Sequence, residues 1–182
     1  MDRYRVEKGD NHAYLCTCSV ANWLPIFNAG PQYADVVLDS LKFCRQRKGL
    51  ILHGYVLMID HLHLIVRHPD LPGLMRDFKS WTAKAITETL EQNKRHELLA
   101  VLKSAATQTA WHQDLKVWQD GYHPKAISSD AMMQQKLDYI HANPVRKGFV
   151  GAVEDWKWSS ARNYFRGDHS VLEIDLVAPL IV

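Results

Sequence analysis

Two hydrophobic periods alternate along the chain, and each change of period marks an element. Over residues 12–20 every second position is apolar. Tyr14, Cys16, Cys18 and Val20 share one face, in the β-branched and aromatic context that predicts a strand. Residues 22–31 hold Pro25, Asn28, Gly30 and Pro31 and read as a turn region. The spacing becomes helical over residues 32–48, where Val36, Val37, Leu41 and Cys44 fall on one side. The last turn of that helix is basic and Gly49 follows it, which suits the helix dipole and a glycine cap.

Residues 50–59 and 61–66 read as two strands joined at Asp60 into a hairpin, and 67–73 as a loop. Helical spacing resumes over 74–90 through Leu74, Phe78, Trp81, Ala85 and Leu90. Residues 91–109 are first polar, then helix-prone, then rich in Ala, Thr and Ser, and read as an insertion or long connection. A short aromatic strand is predicted over 117–122, closed by Gly121, His123 and Pro124. Ser128-Ser129-Asp130 can cap a helix over 131–142 whose core face is Met133, Leu137 and Ile140. Asn143-Pro144 is a stop, because the residue before proline is pushed out of the helical region. Trp156-Lys157-Trp158-Ser159-Ser160 opens a short helix or tail, and the apolar residues 171–182 are expected to dock on the body.

The order strand, helix, strand, strand, helix, strand, helix is met most simply by a ferredoxin-like split β-α-β. The expected class is therefore α+β, with a central antiparallel sheet, helices on one face, and the other face left for a ligand or partner. At 182 residues and 47% hydrophobic, the chain can build one compact domain over residues 1–182, with its core in 12–150 and a tail in 151–182.

Charge adds a local detail. A formal net charge of +2 does not by itself identify a polyanion binder. The basic residues cluster, however, with Lys42, Arg45, Arg47 and Lys48 together and Arg146 and Lys147 together, as a local phosphate-binding surface would require. Each cluster taken alone is equally well a solvated helix end. Three cysteines, Cys16, Cys18 and Cys44, fit buried packing in a reducing compartment better than a disulfide framework. The N-terminal Met1-Asp2-Arg3-Tyr4-Arg5-Val6-Glu7 is charged, and no apolar stretch is long enough to cross a bilayer. A cytoplasmic location and no membrane partner are expected.

The candidate chemistry begins at His61-Leu62-His63, at the end of the apolar run Tyr55-Val56-Leu57-Met58-Ile59. Residues two apart on a strand point to the same face, so both imidazoles stand side by side. Burying two imidazoles there is costly without a task, and a shared metal is the commonest one. Leu64-Ile65-Val66 follow with no carboxylate in step, so a closed zinc site is not expected. Two imidazoles plus an oxygen ligand and open positions suit Mg²⁺ or Mn²⁺. Tyr139 and Asn143, spaced i and i+4, share a helical face, with Lys136 one turn before the tyrosine. A helix tyrosine alone is usually a core residue. As a nucleophile at neutral pH it needs help from a metal or a cation.

These segments resemble a known family. Gly54-Tyr55-Val56-Leu57-Met58-Ile59-Asp60-His61-Leu62-His63-Leu64-Ile65-Val66 is similar to the His-hydrophobic-His (HUH) strand of the single-tyrosine transposases. Leu137-Asp138-Tyr139-Ile140-His141-Ala142-Asn143-Pro144-Val145-Arg146-Lys147-Gly148-Phe149-Val150 resembles their catalytic helix. Asp155-Trp156-Lys157-Trp158-Ser159-Ser160-Ala161-Arg162 resembles the tail of the REP-associated branch.

The resemblance implies a DNA endonuclease and strand transferase on a ferredoxin-like fold. His61 and His63 would bind the metal with Asn143 as third ligand, and Tyr139 on a C-terminal helix would be the nucleophile. The tyrosine would form a 5′-phosphotyrosine with single-stranded DNA beside a hairpin. Arg45, Arg47, Lys48, Lys136, Arg146 and Lys147 are candidate DNA contacts, and a homodimer is among the expected assemblies. At Tyr122-His123-Pro124-Lys125 the chain departs from the acidic, arginine-containing version of some members.

Other classes predict different features. Relaxases place the tyrosine before the histidines, and initiators favour lysine where this chain has Asn143. A non-catalytic DNA- or RNA-binding ferredoxin-like module would bind without metal, and the exposed-aromatic signature of an RNA-binding sheet is absent from the sequence. A zinc hydrolase would need a third His or Asp.

Overall fold

The computed structural model describes residues 6, 9–107 and 115–177. The charged N-terminal segment (apart from Val6), the end of the expected insertion (108–109) and the last part of the expected docking tail (178–182) lie outside the described residues.

Strand β1 (Ala13–Ser19) leads through two 3-10 turns, Ala21–Trp23 and Ile26–Asn28, into helix α1 (Pro31–Lys48). Gly49 ends α1 in the left-handed conformation (φ 71°), its N–H donating to the Cys44 carbonyl, as the sequence predicts. Strands β2 (Ile51–Leu57) and β3 (His61–Arg67) form the expected hairpin. Helices α2 (Leu71–Gln92) and α3 (His96–Thr107), strand β4 (Lys125–Ile127), helix α4 (Asp130–His141), one helical turn α5 (Asn143–Arg146) and helix α6 (Ala161–Arg166) complete the order.

The sheet order is β2-β3-β1-β4 and every pair is antiparallel. Because β3 lies between β1 and β2, this is the expected split β-α-β arrangement, and the fold is α+β. One expectation is corrected. Helices α1 and α2 pack together on the face that carries Cys16, Cys18, Leu62, Leu64 and Val66. Helix α4 packs on the opposite face, where Met133, Leu137 and Ile140 meet Leu15, Val56, Met58 and Ile65. The sheet is thus covered on both sides, and the helices do not all lie on one face.

Three element boundaries also differ from the sequence reading, each for a local reason. Helix α2 starts at Leu71 rather than 74, because the Asp70 carboxylate accepts from the Gly73 N–H (3.2 Å) and Pro72 sits in the first turn, which needs no N–H. The described part of that stretch, 91–107, is no loose insertion. Past the left-handed Lys94 (φ 53°), α3 buries Leu102 fully in the main core. The aromatic stretch 117–122 is not a strand: it makes one isolated bridge, Trp118 to Val20 just past β1, and scattered backbone bonds such as Gln119 N–H to the Ser19 carbonyl (2.8 Å). The indole of Trp118 is there for burial, donating to Thr82 Oγ1 at 2.9 Å and lying 5.9 Å from the Phe27 ring. The fourth strand forms later, at Lys125–Ile127.

The tail docks as expected up to residue 177, and its place has a physical purpose. Strand β2 is an edge strand, and an open edge invites pairing with other chains. Leu57 N–H donates to the Trp158 carbonyl (2.9 Å), Ser160 N–H to the Tyr55 carbonyl (2.9 Å) and Asp175 N–H to the Leu52 carbonyl (2.8 Å). The tail therefore closes that edge, and Leu172 and Ile174 bury against the main core. Among the described residues no helix is long and apolar enough to cross a membrane.

Candidate functional site

Strand β3 sets the two histidines. Its odd residues face α4, so His61, His63 and Ile65 share that face while Leu62, Leu64 and Val66 face the opposite core. The two rings meet edge to face with centroids 4.8 Å apart. Each ring is oriented through its Nδ1: His63 by Thr17 Oγ1 at 2.8 Å, from the residue directly opposite on β1, and His61 by Asp60 Oδ1 at 2.6 Å. Among the described residues neither Nε2 has a hydrogen-bond partner, so both are presented for use. This is the outer-shell pattern by which ligating histidines are held.

His63 is only 6% exposed. Burial pushes its pKa down to about 3, and the neighbouring His61, Arg146 and Lys125 push in the same direction. The imidazole is therefore neutral throughout the physiological range, the form that ligates a metal.

Helix α4 brings the tyrosine. Ser129 caps it, its side chain accepting from the Met132 N–H at 3.2 Å. Met133, Leu137 and Ile140 press it onto the sheet. Gly54 on β2 allows that approach, because a Cβ there would meet Leu137 Cδ2 at 2.7 Å and Ile140 Cδ1 at 3.3 Å. A flank of α4 beside this packing carries Tyr139, 45% exposed, whose ring centroid lies 5.7 Å from that of His63. The guanidinium of Arg146 sits 4.7 Å over the Tyr139 ring and donates to the Tyr139 carbonyl at 3.0 Å. One cation thus caps the end of α4 and stands over the phenol.

Asn143 does not simply end the helix. Helix α4 stops at His141, and Asn143 opens α5 with Pro144 in its first turn. Asn143 is buried (6% exposed), whereas Tyr139 is not, so the two do not present themselves to solvent as one helical face. The Asn143 carboxamide makes no hydrogen bond to any described residue. Next to it His141 is structural: Ser160 Oγ lies 2.8 Å from its Nε2, and burial lowers its pKa to about 4.

The other sequence candidates divide. Arg146 is at the tyrosine, and Lys147 is exposed beside it. Lys136 is half-buried one turn earlier on α4, its Nζ 3.3 Å from Gln135 Oε1. Arg45, Arg47 and Lys48 end α1, next to the start of β2, whereas His61 lies at the other end of the sheet. A strand of seven residues separates them by about 20 Å. Arg45 is moreover engaged: its guanidinium holds Asp175 at 2.8 and 3.1 Å and Glu173 at 3.4 Å, so it fastens the tail instead of standing free for phosphate. Lys48 pairs with Asp77 at 3.3 Å.

Three residues of the site were not singled out from sequence as site residues. Thr17 lies between two core cysteines and becomes relevant only through strand register. Asp60 reads as a turn residue in the sequence, although its place beside His61 is a usable signal. Lys125, opposite Leu15 on β4, shares the sheet face of His63.

The donor set limits what could bind. Among the described residues no three His, Cys, Asp or Glu side chains come together as a metal site. Two oriented imidazoles with free Nε2 atoms, and a nearby unengaged carboxamide, fit a divalent ion that keeps open positions. They do not fit a closed structural zinc site.

Fold and site together define a ferredoxin-like α+β domain with a paired-histidine strand facing a helix-borne tyrosine. Comparisons with known proteins agree with that class. The chain is 37% identical over 104 residues to a Haemophilus influenzae protein provisionally described as a REP-associated tyrosine transposase. The match takes in 57% of this chain and 54% of the relative, so the chain spans about half the length of the curated relative it matches. The solved structure of a REP-associated tyrosine transposase bound to a REP hairpin superposes with a TM-score of 0.64, over 100% of this chain and 94% of that one, at 21% identity. At that identity the likeness speaks for the fold. No family model matches the chain.

Proposed function

We propose that the protein is a transposase: a metal-dependent, single-stranded DNA endonuclease and strand transferase that works through Tyr139. The observation that carries this reading is the packing of the Tyr139 ring against His63, 5.7 Å between centroids, beside a second histidine whose Nε2 is also free. A tyrosine placed for structure alone has no need of two oriented, unengaged imidazoles.

His61 and His63 would hold Mg²⁺ or Mn²⁺ through Nε2, with the Asn143 carboxamide as the third protein ligand. Such an ion supplies Lewis-acid polarisation of the scissile phosphate. The remaining work belongs to the chain. Thr17 and Asp60 fix the ring tautomers and orientations. Helix α4, pressed onto the sheet at Gly54, aims the phenol. Arg146 sets a positive charge beside the ring. Arg146, Lys147 and Lys136 receive the DNA backbone.

The Tyr139 oxygen attacks phosphorus and loses its proton, the P–O3′ bond breaks, and the departing 3′ oxygen gains a proton. The products are a 5′-phosphotyrosine and a free 3′-hydroxyl. Because the phosphodiester energy stays in the covalent adduct, the 3′-hydroxyl of the same or another strand can attack it and rejoin DNA without ATP. The substrate we assign is a hairpin with a single-stranded flank, in keeping with the hairpin held by the structural relative. The natural setting would be the cytoplasm, at the nucleoid.

The test is incubation with 5′- and 3′-labelled hairpin DNA plus Mn²⁺. The wild type is expected to retain the 5′-phosphate end covalently. Tyr139→Phe should reduce adduct by on the order of a thousandfold or more without changing the melting temperature, since Tyr139 is exposed and its hydroxyl makes no hydrogen bond to any described residue. Undiminished adduct in Tyr139→Phe sinks the assignment.

A further inference from the structure

Four non-glycine residues among those described have a left-handed backbone: Asn22 (φ 55°), Trp23 (φ 50°), Lys94 (φ 53°) and His123 (φ 45°). Three of the four line one open pocket of about 450 Å³, together with Lys116, Gln119 and Asp120. Such a conformation is costly for a residue with a side chain. Its concentration around one cavity is the pattern expected where backbone strain serves a site.

The pocket lies at the histidine end of the sheet. Ser19, the last residue of β1, is directly opposite His61, and Val20 N–H donates to the Asp60 carbonyl at 2.8 Å. Asp60 is the residue that orients the His61 ring. From Ser19 to Trp23 the chain can extend by at most roughly 14 Å. The pocket is therefore within a few nucleotides' reach of any phosphate held at the histidines.

Its chemistry selects among ligands. Trp23 is 64% exposed and stacks on no other ring among the described residues, so an indole face is held out to solvent. Gln119 is pre-oriented: its Nε2 donates to the Val20 carbonyl at 3.1 Å, which leaves Oε1 to accept. Asn22 adds a second carboxamide, with both a donor and an acceptor. The charged residues of the lining, Lys116 and Asp120, neutralise each other at 2.8 Å. A phosphate would find no uncompensated cation there. A planar heterocycle with hydrogen-bonding edges would find a stacking surface and two amides.

We infer that this pocket is a subsite for one unpaired nucleobase of the single-stranded flank, stacked on Trp23 and read at its edge by Asn22 and Gln119. This rests on the single-stranded DNA reading above and deepens it. The strained 21–23 turn acts as a positioning element, because the base it holds fixes which phosphate reaches the histidines and Tyr139.

The test uses the full chain and labelled hairpin DNA with a single-stranded flank, and a series in which each flank nucleotide in turn is abasic. Binding is read by anisotropy, and covalent adduct is read separately on the same DNAs. One flank position is expected to weaken wild-type binding about tenfold when abasic, the scale of base–aromatic stacking. Trp23→Ala should lose the same factor on intact DNA and become indifferent to the abasic change at that position, while Trp23→Phe restores most of the loss. Asn22→Ala is the second variant, expected to keep stacking but lose discrimination among the four bases there. Equal affinity of Trp23→Ala and wild type for intact DNA, or an abasic profile unchanged by the substitution, overturns the subsite even if Tyr139 adducts persist. A retained abasic profile without any adduct supports the subsite and overturns the nuclease reading instead. A wild type that binds none of these DNAs overturns both.

Discussion

The two faces of the sheet are made by the same strands, residue by residue in alternation, yet they are different environments. Toward α1 and α2, Leu62, Leu64 and Val66 of β3 are fully buried beside Cys16 and Cys18. Burial drives both thiols' pKa values far up, so this face is dry, and the cysteines pack as hydrophobes. Toward α4 the same strand sets Ile65 in a smaller apolar cluster and then His63 and His61. Where α4 ends, the cover ends too, and Tyr139, Arg146 and the free imidazole nitrogens meet solvent. The first face supplies stability. The second spends part of its burial on polar groups that the sheet's rigidity keeps in place.

The sharpest way to break this comparison is to alter neighbours on β3 that face opposite ways. Leu64→Ala should destabilise the fold by about 2–5 kcal/mol, read as a large fall in melting temperature, with adduct formation per folded molecule unchanged. His63→Ala should reduce adduct to background and abolish Mn²⁺ binding in a calorimetric titration, at a smaller cost in stability of about 1–3 kcal/mol. A Leu64→Ala protein that loses cleavage while remaining folded, or an active His63→Ala, would remove the distinction.

Acid should act through the polar face. His63 and His141 have folded pKa values near 3 and 4, below the ordinary value of 6.5. Over that interval the unfolded chain binds protons that the folded chain refuses, so stability falls as pH drops from 6.5 toward 4 and is fully present above 6.5. The metal-free protein's melting temperature, followed from pH 7 to pH 4.5, should decline by an amount corresponding to at most roughly 5 kcal/mol, about half from each histidine. His141→Gln should flatten part of that slope; a slope unchanged by it would refute this origin.

Thr17→Val tests the orientation of the ring and not the ring itself. Removing the hydroxyl from His63 Nδ1 should weaken Mn²⁺ affinity about 10- to 100-fold, with Thr17→Ser restoring it. The smallest effect separates the two ends of the sheet. Arg146→Ala should weaken DNA binding and lower the salt dependence by about one unit. Arg45→Ala should leave the salt slope alone and loosen the tail, visible as faster amide exchange at Leu52 and Asp175.

Much of this was legible in the residue pattern. A period of two around Cys16 and Cys18, the short apolar runs of the β2–β3 hairpin, a period near 3.6 in α1, α2 and α4, and the Ser129 cap follow from local sterics and local hydrogen bonds, which neighbours in sequence specify. That is also why His61 and His63 could be placed on one face, and Tyr139 on a helix, before any contact was known. Where local pattern misleads, a residue's role comes from a distant partner. Trp118 looked like strand and is an anchor for Thr82. Residues 96–107 looked like an insertion and bury Leu102. Arg45 looked like a phosphate contact and holds Asp175, 130 positions along the chain.

Tertiary structure alone decided which face each helix covers, that Thr17 lies opposite His63, and that a turn after β1 and a loop before β4 close around one pocket. Period tells a side chain which side of its own element to take. Register and helix placement depend on the summed packing of elements far apart in sequence, so only the folded chain could bring Tyr139 to within a ring's width of His63.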